Sequence, residues 1–308
     1  MLVAGISAYG EPVRLLEVAD LRALRGDELL IEVRAAGVGN WDEFVRTGGW
    51  DVAAKPPMAL GVAAAGVVTA VGDGVSGWAT GDEVLTHPLP LREQGTWAPY
   101  LIAPAALVAR KPTSVGWEAA GAFPVPALTA EQVIVDTLAI ADGERLLVNG
   151  AAGVTGRLLV SRGALAGAEV IATASAGHHD ELRALGARHV FDYHDRDWPE
   201  RVRALCGGAG VDASANAAPG AAAAALTTIR DDGRLATITS DPPDAERGIA
   251  ISEVYVRPDG AQLQAVVDLL AEGKLGLEVG SAFAIGDAAA GLGAAVTGHG
   301  GAAVVLSL

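Results

Sequence analysis

Cysteine is nearly absent: Cys206 is the only one in 308 residues. A single thiol closes no intrachain disulfide, and no thiolate-rich zinc site can be built around it. It sits in ALCGGAG at an expected helix end, where it reads as a small structural residue. Long hydrophobic runs are also missing. No stretch of about 18 uncharged apolar residues occurs, so no membrane-spanning helix is expected. The opening MLVAGISAYGEPVRLL has no basic leader ahead of a long apolar segment, so we expect no signal peptide and a cytoplasmic location. Cationic charge is scarce, with 22 Lys and Arg against 37 Asp and Glu and a formal net charge of −15. Such a field repels polyanions, and nucleic acid is not an expected partner. What remains is a chain with 51% hydrophobic residues, long enough to bury a core and to form two domains.

The stretch that organises the chain is ERLLVNGAAGVTG, Glu144 to Gly156. Arg145 to Val148 is a short apolar run suited to a buried parallel strand, and Gly150, Gly153 and Gly156 follow at three-residue spacing. Helical character then resumes in Arg157 to Ala168. A strand, a glycine turn and a helix make the arrangement that holds a dinucleotide pyrophosphate. Missing Cβ atoms let the backbone approach the phosphates, and the helix N-terminus offers unpaired N–H groups. The second strand, Glu169 to Ser175, stands where a βαβ unit requires it. The turn formed by Gly150, Ala152, Gly153, Val154, Thr155 and Gly156 is therefore the expected cofactor cradle.

Upstream, Leu2 to Ser7, Glu28 to Ala36 and Ala64 to Val71 read as strands punctuated by glycine, with no long helical period before about Arg110. Val67 to Leu85 reads as strand, turn, strand, which suits a partly open β-barrel. From Ser114 the period becomes helical, with Ser114 as the expected N-cap, Pro124 and Pro126 breaking the run, and Thr129 to Leu138 resuming it. Beyond the glycine turn, helices are expected at Thr155–Leu165, His179–Leu185, Trp198–Leu205 and Ala221–Ile229. They alternate with strands at Glu169–Thr173, His189–Phe191, Val211–Ser214 and Arg234–Thr239, the pattern of a doubly wound parallel sheet. Asp259 is the expected cap of a helix reaching Glu272, and Ala302 to Leu306 is the expected last strand.

RAAGVGNWDEFVRTG (Arg34 to Gly48), AGVVTAVGDGVSGWATGDEV (Ala65 to Val84) and PALTA (Pro126 to Ala130) precede the glycine turn. LGARHVFDY (Leu185 to Tyr193), GVD (Gly210 to Asp212) and DGRLATI (Asp232 to Ile238) follow it. In this order the motifs resemble the medium-chain dehydrogenase/reductases, within them the zinc-free quinone oxidoreductase branch. The resemblance implies an α/β chain with a GroES-like β-barrel catalytic domain (1–122 and 256–308), a Rossmann cofactor domain (123–255) and a homodimer. It also marks departures. Zinc-dependent members carry a catalytic Cys at Gly39 and a Gly-His-Glu at Gly61-Val62-Ala63, and their four-cysteine loop is absent, so no metal is expected. The zinc-free branch commonly has Asn at 39, whereas here Asn40 is next along. Trp50 replaces a frequent Tyr, Val154 replaces a Gly of the usual fingerprint, and Gly301-Ala302 replaces Gly-Lys.

No acid ends the second strand before Asp180, so nothing there repels a 2′-phosphate, and NADP(H) is the expected cofactor. The resemblance places a phosphate-binding Lys at His178 and a phosphate-contacting Tyr at Tyr193; Ser175, His178 and Tyr193 are the expected phosphate contacts, with His178 and His179 as an exposed helix start the alternative. Asn216 and Thr239, after later strands, are expected to border the nicotinamide. Asn40 is a candidate to bond a substrate carbonyl or a turn residue. Thr129 is a candidate nicotinamide contact or a helix cap, and Trp50 an apolar wall or a buried structural residue. Asp42 is expected to hold its loop rather than act as a general acid, and His87 is a candidate proton relay or an ordinary loop histidine. His189, His194 and His299 have no metal-like spacing, and Ser7 and Ser161 lack a hydrolase context. The expected activity is NADPH-dependent hydride transfer, without zinc, to a small-molecule quinone or enone. Two alternatives share the scaffold: a pathway-specific enoyl reductase or cyclase-like enzyme of biosynthesis, and a non-catalytic NADPH-binding protein.

Overall fold

A computed structural model describes residues 1–298 and 300–308; His299 lies outside the described residues. In chain order the elements begin β1 (Leu2–Ile6), β2 (Arg14–Glu17), β3 (Glu28–Val38), α1 (Trp41–Thr47), β4 (Met58–Ala59), β5 (Ala64–Val71) and β6 (Glu83–Thr86). Next come β7 (Tyr100–Pro104), β8 (Val108–Arg110), α2 (Trp117–Ala122), α3 (Pro124–Glu131), β9 (Arg145–Asn149), α4 (Val154–Leu165), β10 (Glu169–Thr173) and α5 (His179–Ala184). The chain continues with β11 (His189–Phe191), α6 (Trp198–Leu205), β12 (Val211–Asn216), α7 (Ala222–Thr227), β13 (Ile229–Thr237) and β14 (Ala250–Glu253). It closes with α8 (Gly260–Ala271), β15 (Val279–Ala284), α9 (Ala288–Thr297) and β16 (Ala303–Ser307). These form two compact units, Met1–Leu128 with Arg257–Leu308, and Thr129–Val256. No helix among the described residues is long and apolar enough to cross a membrane.

The first unit is built on a sheet ordered β15-β16-β3-β5-β6-β8, with β7 also on β3, beside a small sheet β2-β1-β4. It is the GroES-like half. β3, β5 and β6 are antiparallel neighbours, pairing Ala36 with Ala64 and Ala64 with Thr86. The segment after β3, the one before β5 and the one after β6 therefore leave the sheet at the same end. Three bonds brace that end: Gly37 N–H donates to Ala63 O at 3.1 Å, the buried Trp97 donates its indole N–H to Gly37 O at 3.0 Å, and Thr96 Oγ1 donates to Ala63 O at 2.9 Å. In α8 the Asp259 carboxylate accepts from the Ala261 and Gln262 amides, the cap read from sequence.

The second unit is a six-stranded parallel sheet ordered β11-β10-β9-β12-β13-β14, the Rossmann arrangement. β9, β10 and β12 are buried almost throughout, as strands covered on both faces must be.

Several local expectations are corrected. Ser114 caps nothing; the N-cap of α2 is Gly116, without a side-chain bond. Pro124 and Pro126 lie in the first turn of α3, where a missing N–H costs nothing, so they start the helix and the break falls at Phe123. Gln132–Thr137 then continues as a π-helical turn. A short helix, α1, occurs where none was read. β13 starts at Ile229, five residues earlier than expected, and β14, β15 and α9 were not foreseen.

Candidate active site

In the second unit the glycine turn has the shape a diphosphate needs. Gly150 lies at φ +77°, and a Cβ there would stand 2.8 Å from the backbone of Ala217 and Ala218. A Cβ on Gly156 would stand 2.2 Å from Gly150 O and 2.8 Å from Ala151 Cα. The twelve-residue α4 begins at Val154, with exposed Gly153 as its N-cap and no side chain closing the end. Ala152, Val154 and Thr155 are half-buried around it. A loop that admits no side chain at two positions and opens an uncapped helix fits a dinucleotide.

Beneath the turn, the carboxyl ends of four strands are tied side chain to side chain. Gly150 N–H meets Thr173 Oγ1 at 3.3 Å, Thr173 Oγ1 meets Asn149 Oδ1 at 2.5 Å, and Asn149 Nδ2 meets Asn216 Oδ1 at 2.9 Å. Asn216 Nδ2 reaches Thr239 Oγ1 at 3.0 Å and Thr237 Oγ1 at 3.1 Å, and both hydroxyls donate to Asp241. Asn216 is fully buried with both polar atoms engaged, so it braces the site from below; Thr239 is half-buried beside it.

The end of β10 differs from its sequence reading. No acid lies at the carboxyl end of the strand, but the Glu181 carboxylate folds back from α5 to pair with Arg157 Nη2 at 2.8 Å and His178 Nδ1 at 3.5 Å. Asp192 accepts from the backbone and ring of His194 at 2.9 and 2.7 Å, and with the Ala176 N–H these bonds hold its carboxyl below the usual range. Two carboxylates therefore flank Ser175 and His178. Tyr193 is exposed, its ring against that of His194 at 4.2 Å.

In the first unit, Gly39 admits Trp41. A Cβ on Gly39 would stand 2.2 Å from indole atoms Cε2 and Cζ2, so the ring occupies the space a side chain at 39 would fill. The indole N–H of Trp41 is buried without a partner. Asp42, fully buried, holds its loop by accepting Gly39 N–H on Oδ2 at 2.9 Å, while Oδ1 has no partner. Burial pushes its pKa up to about 8, against the pull of that amide. His87, just past β6, is fully buried with Nδ1 2.6 Å from Val62 O. A carbonyl only accepts, so Nδ1 carries the proton, and the partnerless Nε2 is an open acceptor. Burial pushes the ring down to about 4, so it stays neutral near pH 7. The Trp50 ring, half-buried, lies 6.5 Å from it.

Asn40, by contrast, is exposed at the start of α1 and makes no capping bond. Thr129 is buried within α3, where it does not act as a cap. Sequence reasoning missed Trp41, Asn149, Thr173, Glu181 and Asp241. For Trp41 the signal was present: a glycine where a functional side chain is usual, two residues from an indole. Among the described residues, no three His, Cys, Asp or Glu side chains gather so as to hold a metal ion.

Two family models match the chain: the alcohol dehydrogenase GroES-like domain over residues 25–113 and the zinc-binding dehydrogenase over residues 155–257. Over 199 residues the chain is 36% identical to erythronolide synthase EryA2 of Saccharopolyspora erythraea; the match covers 64% of this chain and 5% of the synthase. It thus spans a small part of that relative's length. A solved NAD-dependent alcohol dehydrogenase superposes with a TM-score of 0.85 at 28% identity, each chain covered to 100%. A mycobacterial protein solved complexed with NADPH gives 0.85 at 25% identity, again with both chains covered to 100%.

Proposed function

Because the chain belongs to the medium-chain dehydrogenase/reductase superfamily, we propose that it is an NADPH-dependent oxidoreductase that reduces a quinone or an α,β-unsaturated carbonyl without zinc. Two observations carry this reading: a turn opening α4 that excludes a side chain at Gly150 and Gly156, and a buried polar set where zinc-dependent members hold their metal. The bound dinucleotide would supply the hydride. Gly150, Gly153 and Gly156 cradle its diphosphate, and Ala152, Val154 and Thr155 frame that cradle. Ser175 and His178 sit on the adenosine side with Tyr193 at its rim, and Thr129 serves the nicotinamide. Trp41, rather than the exposed Asn40, donates its indole N–H to the substrate carbonyl oxygen, and Trp50 forms an apolar wall. Asp42, protonated near neutrality, holds a proton next to that donor. By the family's habit the chain works as a homodimer.

The test is calorimetry with NADPH and NADH, followed by turnover against a panel of quinones and enones. Neither nucleotide binding, or stoichiometric zinc in elemental analysis, sinks the proposal. The match to the synthase supports a second reading, an enoyl reductase serving a biosynthetic pathway. Reduction of enoyl thioesters with no turnover of free quinones would select it, whereas binding with no oxidation by any acceptor would mark a non-catalytic NADPH-binding protein.

A further inference from the structure

The side-chain chain beneath the glycine turn has a direction, and its two ends impose it. Asp241 at one end is a carboxylate that only accepts, so the Thr239 and Thr237 hydroxyls must donate to it. Their oxygens are then left to accept from Asn216 Nδ2, which turns Asn216 Oδ1 towards Asn149 Nδ2. Asn149 Oδ1 in turn accepts from Thr173, whose oxygen accepts the Gly150 N–H. Gly150 N–H at the other end only donates, so both ends demand the same polarity. Asn149, Thr173, Asn216 and Thr237 are all buried. Bonds aligned head to tail in such surroundings polarise one another. Asp241 is itself anchored by the Gly220 N–H at 2.6 Å.

We infer that Asp241 is a positioning residue for the dinucleotide turn, acting through a one-way relay by Thr239, Asn216, Asn149 and Thr173 that ends on the Gly150 N–H. This rests on the reading of Gly150 to Gly156 as the diphosphate cradle. Thr173 and Asp241 lie at opposite ends of the relay, on β10 and beyond β13 with two strands between. At about 4.8 Å per strand their separation would make their substitutions additive if each acted locally.

The test is a double-mutant cycle of Asp241→Ala and Thr173→Val, read as the dissociation constant for NADPH by calorimetry, with Thr173→Ser as the hydroxyl-retaining control. Each single change is expected to weaken binding about tenfold, the pair about tenfold as well, and Thr173→Ser hardly at all. In the nucleotide-free protein, Asp241→Ala should also speed hydrogen exchange at the Gly150 amide. An additive loss near a hundredfold, unchanged Gly150 exchange, or wild-type affinity in the single variants overturns the relay while leaving the cradle intact. Wild-type protein that binds neither NADPH nor NADH removes the cradle and the relay's purpose together.

Discussion

The two units treat the polar atoms of their candidate sites in opposite ways. Under the glycine turn the buried carboxamides and hydroxyls are joined into one connected chain. At the shared end of β3, β5 and β6, three buried atoms, Trp41 Nε1, Asp42 Oδ1 and His87 Nε2, are left open. Leaving a buried polar group unpaired costs about 1–3 kcal/mol, so the first arrangement is a finished support and the second waits for a partner. On the proposed function, the nucleotide would meet a support already complete, whereas the substrate would complete the open valences.

That contrast is broken most strongly at Asp42. Its folded pKa is raised from 3.8 to about 8, so the folded state binds the proton more tightly than the unfolded chain. Its stabilising contribution is therefore full below about pH 4 and falls at about 1.4 kcal/mol per pH unit until about pH 8. Asp42→Asn cannot ionise and should remove this slope. Urea unfolding of both proteins from pH 5 to 8 should show the wild type losing about 4 kcal/mol relative to the variant; parallel curves would mean the carboxyl is ionised at neutrality.

On the finished side the sensitive coordinate is space. Gly156→Val places atoms against Gly150 O, where even a Cβ stands 2.2 Å away. We expect about a hundredfold weaker NADPH binding by calorimetry with the circular dichroism spectrum kept. On the open side it is a single donor. Trp41→Phe keeps most of the ring and removes the N–H, and should lower kcat/KM for a carbonyl acceptor about tenfold with NADPH affinity unchanged. Gly39→Ala, whose methyl meets the indole at 2.2 Å, should do the same by displacing it. An unaffected Trp41→Phe would return the carbonyl to Asn40.

The sequence revealed these halves unequally. Strand β10 and helix α6 fall where they were read, because a buried parallel strand shows as an apolar run and Trp198-Pro199 marks a helix start, while the half-buried edge strand β11 was placed by its turn in the strand–helix alternation. The half-buried edge strand AISE of β14 and the alanine- and glycine-rich α9 carry no comparable pattern. The glycine turn was readable because its constraint is local: the backbone must pass close to itself. Asn216 and Thr239 were readable as strand-end residues, but their engagement with Asn149 and Asp241 depends on four strands meeting, which spacing does not encode. Trp41 differs: the glycine two residues before it was a readable signal, and only the seat of the ring over Gly39 needed the structure.

The smallest expected effect concerns which nicotinamide is used, where the sequence argument is weakest. It rested on the lack of an acid at the end of β10, yet Glu181 reaches Arg157 and His178 from the next helix. A 2′-phosphate arriving there meets the Arg157 guanidinium and the His178 ring already paired with a carboxylate. Glu181→Gln would release both from that pairing, and because the site is partly exposed and screened, the gain should be modest. We expect NADPH to bind about threefold more tightly, NADH to be unchanged, and the difference to shrink as salt is raised. If instead NADH binding weakens and NADPH does not improve, Glu181 is accepting bonds from the adenosine ribose. The open polar set of the first unit would then stand as described, but the turn of the second unit would be a cradle for NADH.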